Sequence, residues 1–271
     1  MKIILKAFFL ITLIFGISHT GLAMEKIVIE GTGDSQVLLR VLADAFHKRH
    51  PNTMIEVPES IGSGGGIRSV VDGKCALGRT ARELNDKEKK YNLNYKVFAH
   101  SPVVFVANLT QKGPDNLSTK QIIDIFSGNI TSWGDLGGEK EKIYVVNREE
   151  GDSSKNILDK TIPGFKDIKT PAGKTVYSSP ETIEILKHYK NTIGYGALSM
   201  AINTGLAILK VDGIYPTIKN VQSGSYKLVE PFGLVWKGEL IGLAKDFVSF
   251  LFTKEAQDIM IDNGTVPTNT E

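Results

Sequence analysis

The stretch "KIVIEGTGDSQVLLRVLADAFHKRH" (Lys26–His50) decides how the rest of the chain is read. Its β-branched start, Lys26 to Gly31, predicts a short strand. After a Gly-rich turn, apolar residues recur at Val37, Leu38, Val41, Leu42, Ala45 and Phe46, the stripe of a helix. Pro51 stops that helix. The pattern then repeats, with "TMIEVP" (Thr53–Pro58) reading as a strand and "GGIRSVVDGK" (Gly65–Lys74) as a helix. A β-α-β-α opening predicts an α/β layered fold with a largely parallel sheet.

Outward from this opening the alternation continues. "SPVVFVAN" (Ser101–Asn108) is an apolar strand, and Ser118 with Gln121 forms a capping box ahead of Ile122, Ile123, Ile125 and Phe126. "KIYVVN" (Lys142–Asn147) reads as a strand and "SSKNILDKTI" (Ser153–Ile162) as a short helix. In "SSPETIEILKHYK" (Ser178–Lys190), Ser179 is expected to cap a helix with Pro180 at its first position. "GLAILKVDGIYP" (Gly205–Pro216) and "YKLVEPFGLVWK" (Tyr226–Lys237) look extended, and two helices close the chain, the second ended by Gly264. Two lobes joined by extended crossings fit this order better than one sheet.

Residues 1–23 read as a cleaved secretory leader. Lys2 and Lys6 precede the apolar run Ala7–Ile17, and Gly21 and Ala23 occupy small-residue cleavage positions. The run is shorter than the roughly 20 residues of a membrane span. With no Cys at the cleavage site, a lipid anchor is not expected, and the periplasm is the expected compartment. The leader holds two of the 32 Lys and Arg and none of the 30 acids, so the remaining 248 residues balance 30 against 30. A neutral protein has no global field for nucleic acid or acidic membranes, so any anion preference must be local. Cys75 is the single Cys, which excludes an intramolecular disulfide; it is expected to be a small buried residue. The five His show no metal-ligand spacing, and His47 and His50 are expected at an exposed helix end. No metal or cofactor is expected, and without a Ser-His-Asp arrangement no enzyme either.

Three strand-to-helix junctions share a composition: "GTGDS" (Gly31–Ser35), "IGSGGG" (Ile61–Gly66) and "REEGDSS" (Arg148–Ser154). Each sets glycines and hydroxyls beside free helix N-terminal N–H groups, which bind anions through their donors and the helix dipole. A single junction of this kind is what ordinary capping demands. Three in one chain, one with Arg148 beside it, point to an anion site. No GxxxxGK[ST] occurs, which excludes a Walker loop, and "GTGDSQ" lacks the third Gly of a dinucleotide site.

With "GTGDSQVLLRVLADAF", "ESIGSGGGIRSVVDGK", "LGRTARELND", "SPVVFVAN", "IIDIFSGNITSWGDLGG", "VVNREEGDSS", "IGYGALS" and "VDGIYPTIKNVQSGSYKL" in order, the chain resembles the substrate-binding proteins of bacterial phosphate ABC transporters, the phosphate-binding-protein-like family. The resemblance implies a two-lobed periplasmic-binding-protein fold closing on a small oxyanion, phosphate or a relative of it. Lobe I would comprise residues 24–103 and 225–271, lobe II residues 104–224, with hinge strands near Ser101–Asn108 and Ser225–Trp236. Carried over by motif, Ser35 and the N–H of Gln36 would bind from the first helix start, and Ser63 and Gly64 from the Gly-rich loop. Arg148, Asp152, Ser153 and Ser154 would bind from the second lobe. The resemblance implies a membrane ABC permease as partner, and a monomer is expected.

Two positions depart from the family. Ala81 stands where a Ser or an acid is usual, and Asp152 stands where a hydroxyl donor is usual. An ionised carboxylate only accepts hydrogen bonds, and it repels a fully ionised oxyanion. Asp152 could instead take the proton-acceptor role that Ala81 cannot perform, or cap its helix facing solvent. Asp34 is expected to be a solvated first-turn acid, and Arg79 and Arg82 either to supply compensating charge near the site, to pair with Glu83 or to face solvent. Trp133 and Tyr195 are expected in packing positions. The alternative reading is a module with a degenerate site, serving as a sensor or adhesion protein.

Overall fold

The computed structural model describes residues 24–110 and 113–269, so the expected leader lies outside the described residues. The chain opens with β1 (Glu25–Gly31), α1 (Gln36–Arg49), β2 (Thr53–Glu56), α2 (Gly62–Val71) and β3 (Leu77–Thr80). Next come β4 (Leu93–Asn108), β5 (Asn116–Leu117), α3 (Thr119–Phe126), β6 (Tyr144–Arg148), α4 (Ser153–Thr161), β7 (Lys174–Val176) and α5 (Ser179–His188). The remainder is β8 (Thr192–Ala197), α6 (Leu198–Ala201), β9 (Ala207–Val211), α7 (Ile218–Gln222), β10 (Val229–Lys237), α8 (Gly242–Phe250), α9 (Lys254–Asp262) and β11 (Val266–Pro267).

The strands run in the order β2-β1-β3-β10-β4-β8-β6-β7. At one side β1 pairs in parallel with β2 and β3, and at the other β6 pairs in parallel with β7 and β8. These parallel sets follow from the β-α connections, which return the chain to the same sheet end. The centre is antiparallel. β4 pairs with β10 from Leu93 to Pro102 and with β8 from Val103 to Asn108, so one strand joins the two sides of the sheet. Its residues from Ser101 to Asn108 are all buried, which suits a continuous apolar run.

Each side has its own aromatic centre. Phe46 of α1 meets Phe247 and Phe250 of α8 edge-on, both with centroids 5.5 Å away. Across β4, Phe105, Phe126, Phe165 and Tyr195 pack within one cluster. Burial of each such ring is worth roughly 1.5–3 kcal/mol. Trp133 and Tyr195 are 2% and 0% exposed, the packing positions expected of them.

Local readings need adjustment. On α1 the buried face is Leu38, Leu39, Leu42, Ala43, Ala45 and Phe46, while Val37 and Val41 are 38% exposed. The Gly-rich stretch is not a loop before α2 but its first turn, beginning at Gly62. Gly66 allows this helix to lie close on the sheet, since a Cβ there would meet Glu30 O at 2.6 Å and the Gly31 Cα at 2.7 Å. The capping box of Ser118 and Gln121 is present as expected. Ser178, not Ser179, caps α5, accepting from the Glu181 N–H. Cys75 is only partly buried, beside Ile67, Val70 and Val235.

Candidate functional site

β1, β2 and β6 lead into the three Gly- and Ser-rich junctions, parts of which gather at one cleft. α1 begins at Gln36 and α2 at Gly62, and neither has a side-chain cap. α4 begins at Ser153, capped by Asp152, whose carboxylate accepts from the Lys155 N–H at 2.9 Å. The α2 and α4 starts face each other across a cavity of about 320 Å³ lined by Ser63, Gly64, Arg68, Arg148, Asp152 and Ser153. Ser63 Oγ lies 3.0 Å from Ser153 Oγ. The Ala81 N–H donates to Ser63 Oγ at 3.0 Å, so Ala81 serves the site through its main chain. That bond engages a lone pair of Ser63 and leaves its proton for Ser153 or for a ligand in the cleft.

Arg148 ends β6 with its side chain 4% exposed. Its guanidinium donates to Ser179 Oγ at 2.8 Å and to Asp152 Oδ2 at 2.5 Å. Its Nε is buried with no hydrogen-bond partner among the described residues. Ser179 in turn donates to Asp34, and Asp34 accepts from Thr32 at 2.8 Å and from Ser154 at 3.5 Å. A single network therefore joins Asp152, Arg148, Ser179, Asp34 and Thr32 across the cleft. Gly33 completes the contact, because a Cβ there would lie 2.5 Å from Pro180 Cδ.

Asp34 is 1% exposed, which overturns its reading as a solvated first-turn acid. α5, folded over it from far along the chain, excludes the water that such an acid would otherwise keep. Asp152 does cap its helix, but its side chain is 6% exposed rather than solvent-facing. Burial, moderated by Arg148 and reinforced by Asp34, pushes the Asp152 carboxyl up to about 6. Glu230 on β10 is fully buried, accepts from Ser154 at 3.2 Å, and its Oε1 has no partner among the described residues. Burial, with Asp34 and Asp152 nearby, pushes this carboxyl well above its ordinary range.

The structure brings Ser63, Gly64, Arg148, Asp152 and Ser153 to one cavity, with Ser154 directly behind through Asp34 and Glu230. Ser35 is fully buried, its hydroxyl without a partner among the described residues. The Gln36 N–H donates to Gly33 O at 3.1 Å, and its side chain turns to Glu59 at 3.0 Å. These bonds direct Gln36 away from the cavity. Arg82 pairs with Glu88 through two bonds, not with the Glu83 carboxylate. Arg79 is buried against main-chain carbonyls of Thr32, Ile29 and Pro58.

Sequence reasoning missed Ser179, Glu230 and Arg68. The first had a legible trace: two serines precede Pro180, and only one can cap. Glu230 sits in an apolar strand, where a lone acid signals a special environment. Nothing in the spacing marked Arg68.

A two-lobed α/β protein with an anion-suited cleft between its lobes is thus defined by geometry. The chain belongs to the PBP superfamily domain family, whose model matches residues 17–255. It is 30% identical over 251 residues to the phosphate-binding protein PstS of Bacillus subtilis, covering 90% of this chain and 81% of that protein. The PstS of Borreliella burgdorferi is 26% identical, with 89% of each chain covered. Among solved structures, a Clostridium perfringens protein with bound phosphate, described as a phosphate ABC transporter substrate-binding protein, superposes with a TM-score of 0.80. It is 28% identical, and the match covers 90% of this chain and 100% of that one. The high-affinity periplasmic phosphate-binding protein PfluDING, also bound with phosphate, gives 0.71 at 14% identity over 91% of each chain, a likeness of fold alone.

Proposed function

We propose that this protein captures phosphate, or a closely related tetrahedral oxyanion, for an ABC importer. The observation that carries the reading is the meeting of the α2 and α4 starts, with Ser63 and Ser153 hydroxyls 3.0 Å apart beside Arg148. Helix N–H donors, hydroxyls and a guanidinium converging on one small cavity are the chemistry of oxyanion capture. The phosphate-binding relatives, and the Clostridium structure that holds phosphate, support the same ligand here. Such a protein is a receptor and not an enzyme.

Ser63, Gly64, Arg148, Asp152, Ser153 and Ser154 would form the ligand shell, with Ser35 and Gln36 supporting the α1 start. The hinge would fall where β4 passes from β10 to β8, with residues 24–103 and 225–271 as one lobe and 104–224 as the other. The Val103 N–H bonds Leu228 O at 2.7 Å, so the two crossings lie side by side. A leader over 1–23, delivery to the periplasm, a membrane permease as partner and a monomeric state belong to the same proposal.

With Asp152 bonded to Arg148 and Asp34 one hydroxyl away through Ser179, an oxyanion that keeps a proton is favoured over one fully ionised. Calorimetric titration with phosphate, arsenate and sulfate tests the proposal. One-to-one binding of phosphate and arsenate, with sulfate weaker, is expected. The absence of binding by every oxyanion would overturn it, leaving a module that has lost its ligand.

A further inference from the structure

The cleft is not the largest cavity among the described residues. A cavity of about 720 Å³ opens at the opposite end of β6 and β8, lined by the apolar side chains of Ile125, Ile143, Val145 and Ile185. Tyr144 lies four residues before Arg148 on β6, which puts this opening about 13 Å from the cleft at the usual rise per strand residue. Its volume falls in the range of roughly 300–1,000 Å³ that small-molecule sites occupy.

The charge of the wall is one-sided. Lys142, Lys174 and Lys190 line the cavity, and no Asp or Glu does. Lys142 lies over the Tyr144 ring, and Lys190 donates to the neutral Asn108 side chain at 3.0 Å. Neither has an acidic partner among the described residues, and Lys174 reaches Glu181 only at 3.7 Å. Tyr144 and Tyr189, 53% and 58% exposed, also line the cavity, and their amphipathic rings suit an apolar–aqueous boundary.

We propose that this cavity is a second ligand site, which takes a small anionic amphiphile: an aliphatic body in the apolar interior and a carboxylate-type headgroup among the lysines. The apolar wall accounts for burial of the body. The Lys142 and Lys190 ammonium groups, which have no acidic partner among the described residues, provide a charge complement for an anionic headgroup that a cationic or neutral one could not use. Ligand here meets the root of β6, the strand that carries Arg148, and goes beyond oxyanion capture at the cleft.

The test is calorimetric titration of the full chain with dodecanoate, dodecyltrimethylammonium and a neutral dodecyl maltoside, each kept below its micellar concentration. Dodecanoate is expected to bind one-to-one and the other two weakly or not at all. Lys142→Glu with Lys190→Glu, both at exposed positions, should weaken dodecanoate by about tenfold or more. Ala172→Trp, at a wall residue, should block it by filling the cavity, with thermal unfolding confirming that the variant folds. If Ala172→Trp fails to fold, the lysine pair alone decides. Equal binding of all three probes, no binding of dodecanoate, or an undiminished affinity in the lysine variant would overturn the proposal.

Discussion

Ser179 holds Asp34 from across the cleft, donating its hydroxyl to that carboxylate while accepting from Arg148. The two residues are 145 apart in the chain, and their bond ties the turn before α1 to the first turn of α5. Ser179→Ala removes the only group that links Asp34 to Arg148 among the described contacts. It should weaken phosphate binding by about 1–3 kcal/mol, the cost of leaving a buried acceptor short of a donor. Calorimetry checks this; an affinity equal to that of the wild type would remove Ser179 from the closing of the cleft.

Arg148 should dominate affinity. Replacement by Ala removes the one guanidinium at the heart of the network and should cost on the order of 2–5 kcal/mol in binding. Lys should not restore it, because an ammonium cannot reproduce the fork that reaches Asp152 and Ser179 together. Titration of both variants is decisive, and binding within about twofold of wild type in either would refute the assignment.

The hydroxyls of Ser63 and Ser153 should each contribute less, about 0.5–1.5 kcal/mol, as single neutral donors. Ser63→Ala additionally strips the Ala81 N–H of its acceptor. It should therefore lower stability to denaturant more than Ser153→Ala does. The reverse order would contradict the orientation assigned to Ser63.

Gly33→Ala probes the contact between the α1 and α5 starts, which the proposed lobe boundaries place in different lobes. Its Cβ would lie 2.5 Å from Pro180 Cδ, a clash that parting the lobes relieves. Anion affinity should fall at least about tenfold. Scattering in the presence of phosphate should show a more extended molecule than the wild type. A variant as compact and as tight-binding as wild type would mean that Pro180 yields instead.

Asp152 makes stability pH-dependent with a definite sign. Its folded-state carboxyl lies at about 6 against an ordinary 3.8, chiefly through burial. The folded chain therefore holds this proton more tightly than the unfolded chain. Its contribution to stability is full below the ordinary value and is lost as pH rises through about 6. Denaturation of wild type and Asp152→Asn from about pH 4 to 7 should show the wild type losing ground to the variant across that window, by on the order of 1–3 kcal/mol. A constant difference would show that Asp152 titrates normally.

Much of the fold was legible because local rules and tertiary packing agree. The apolar run Ser101–Asn108 is buried throughout, and the Ser118 capping box formed as its spacing predicts. Misreadings arose where a distant segment overrides a local preference. Val37 and Val41 share the helical stripe with Leu38 and Leu42, yet α1 turns Leu39 and Ala43 inward instead, toward the packing of its neighbours. Ser179 looked like a cap, but Ser178 takes that position and frees Ser179 for the cleft. Asp34 looked solvated because nothing near it in sequence announces the α5 start that covers it. The glycines and hydroxyls of the site were visible, while the acids that surround it owe their character to burial, which spacing does not reveal.

The placing of β10 between β3 and β4 has a consequence for the order in which the chain can fold. β3 and β4 are close in sequence but do not pair, so the gap between them stays open until Val229–Lys237 has been synthesised. The segment from Val103 to Leu228, whose ends lie side by side, can condense first as a contiguous unit. Its host must wait, with two unpaired strand edges, for nearly the last part of the chain to emerge. A nascent chain cut short before Val229 should therefore protect the amides of β6 and β8 from hydrogen exchange while leaving those of β1 and β3 open.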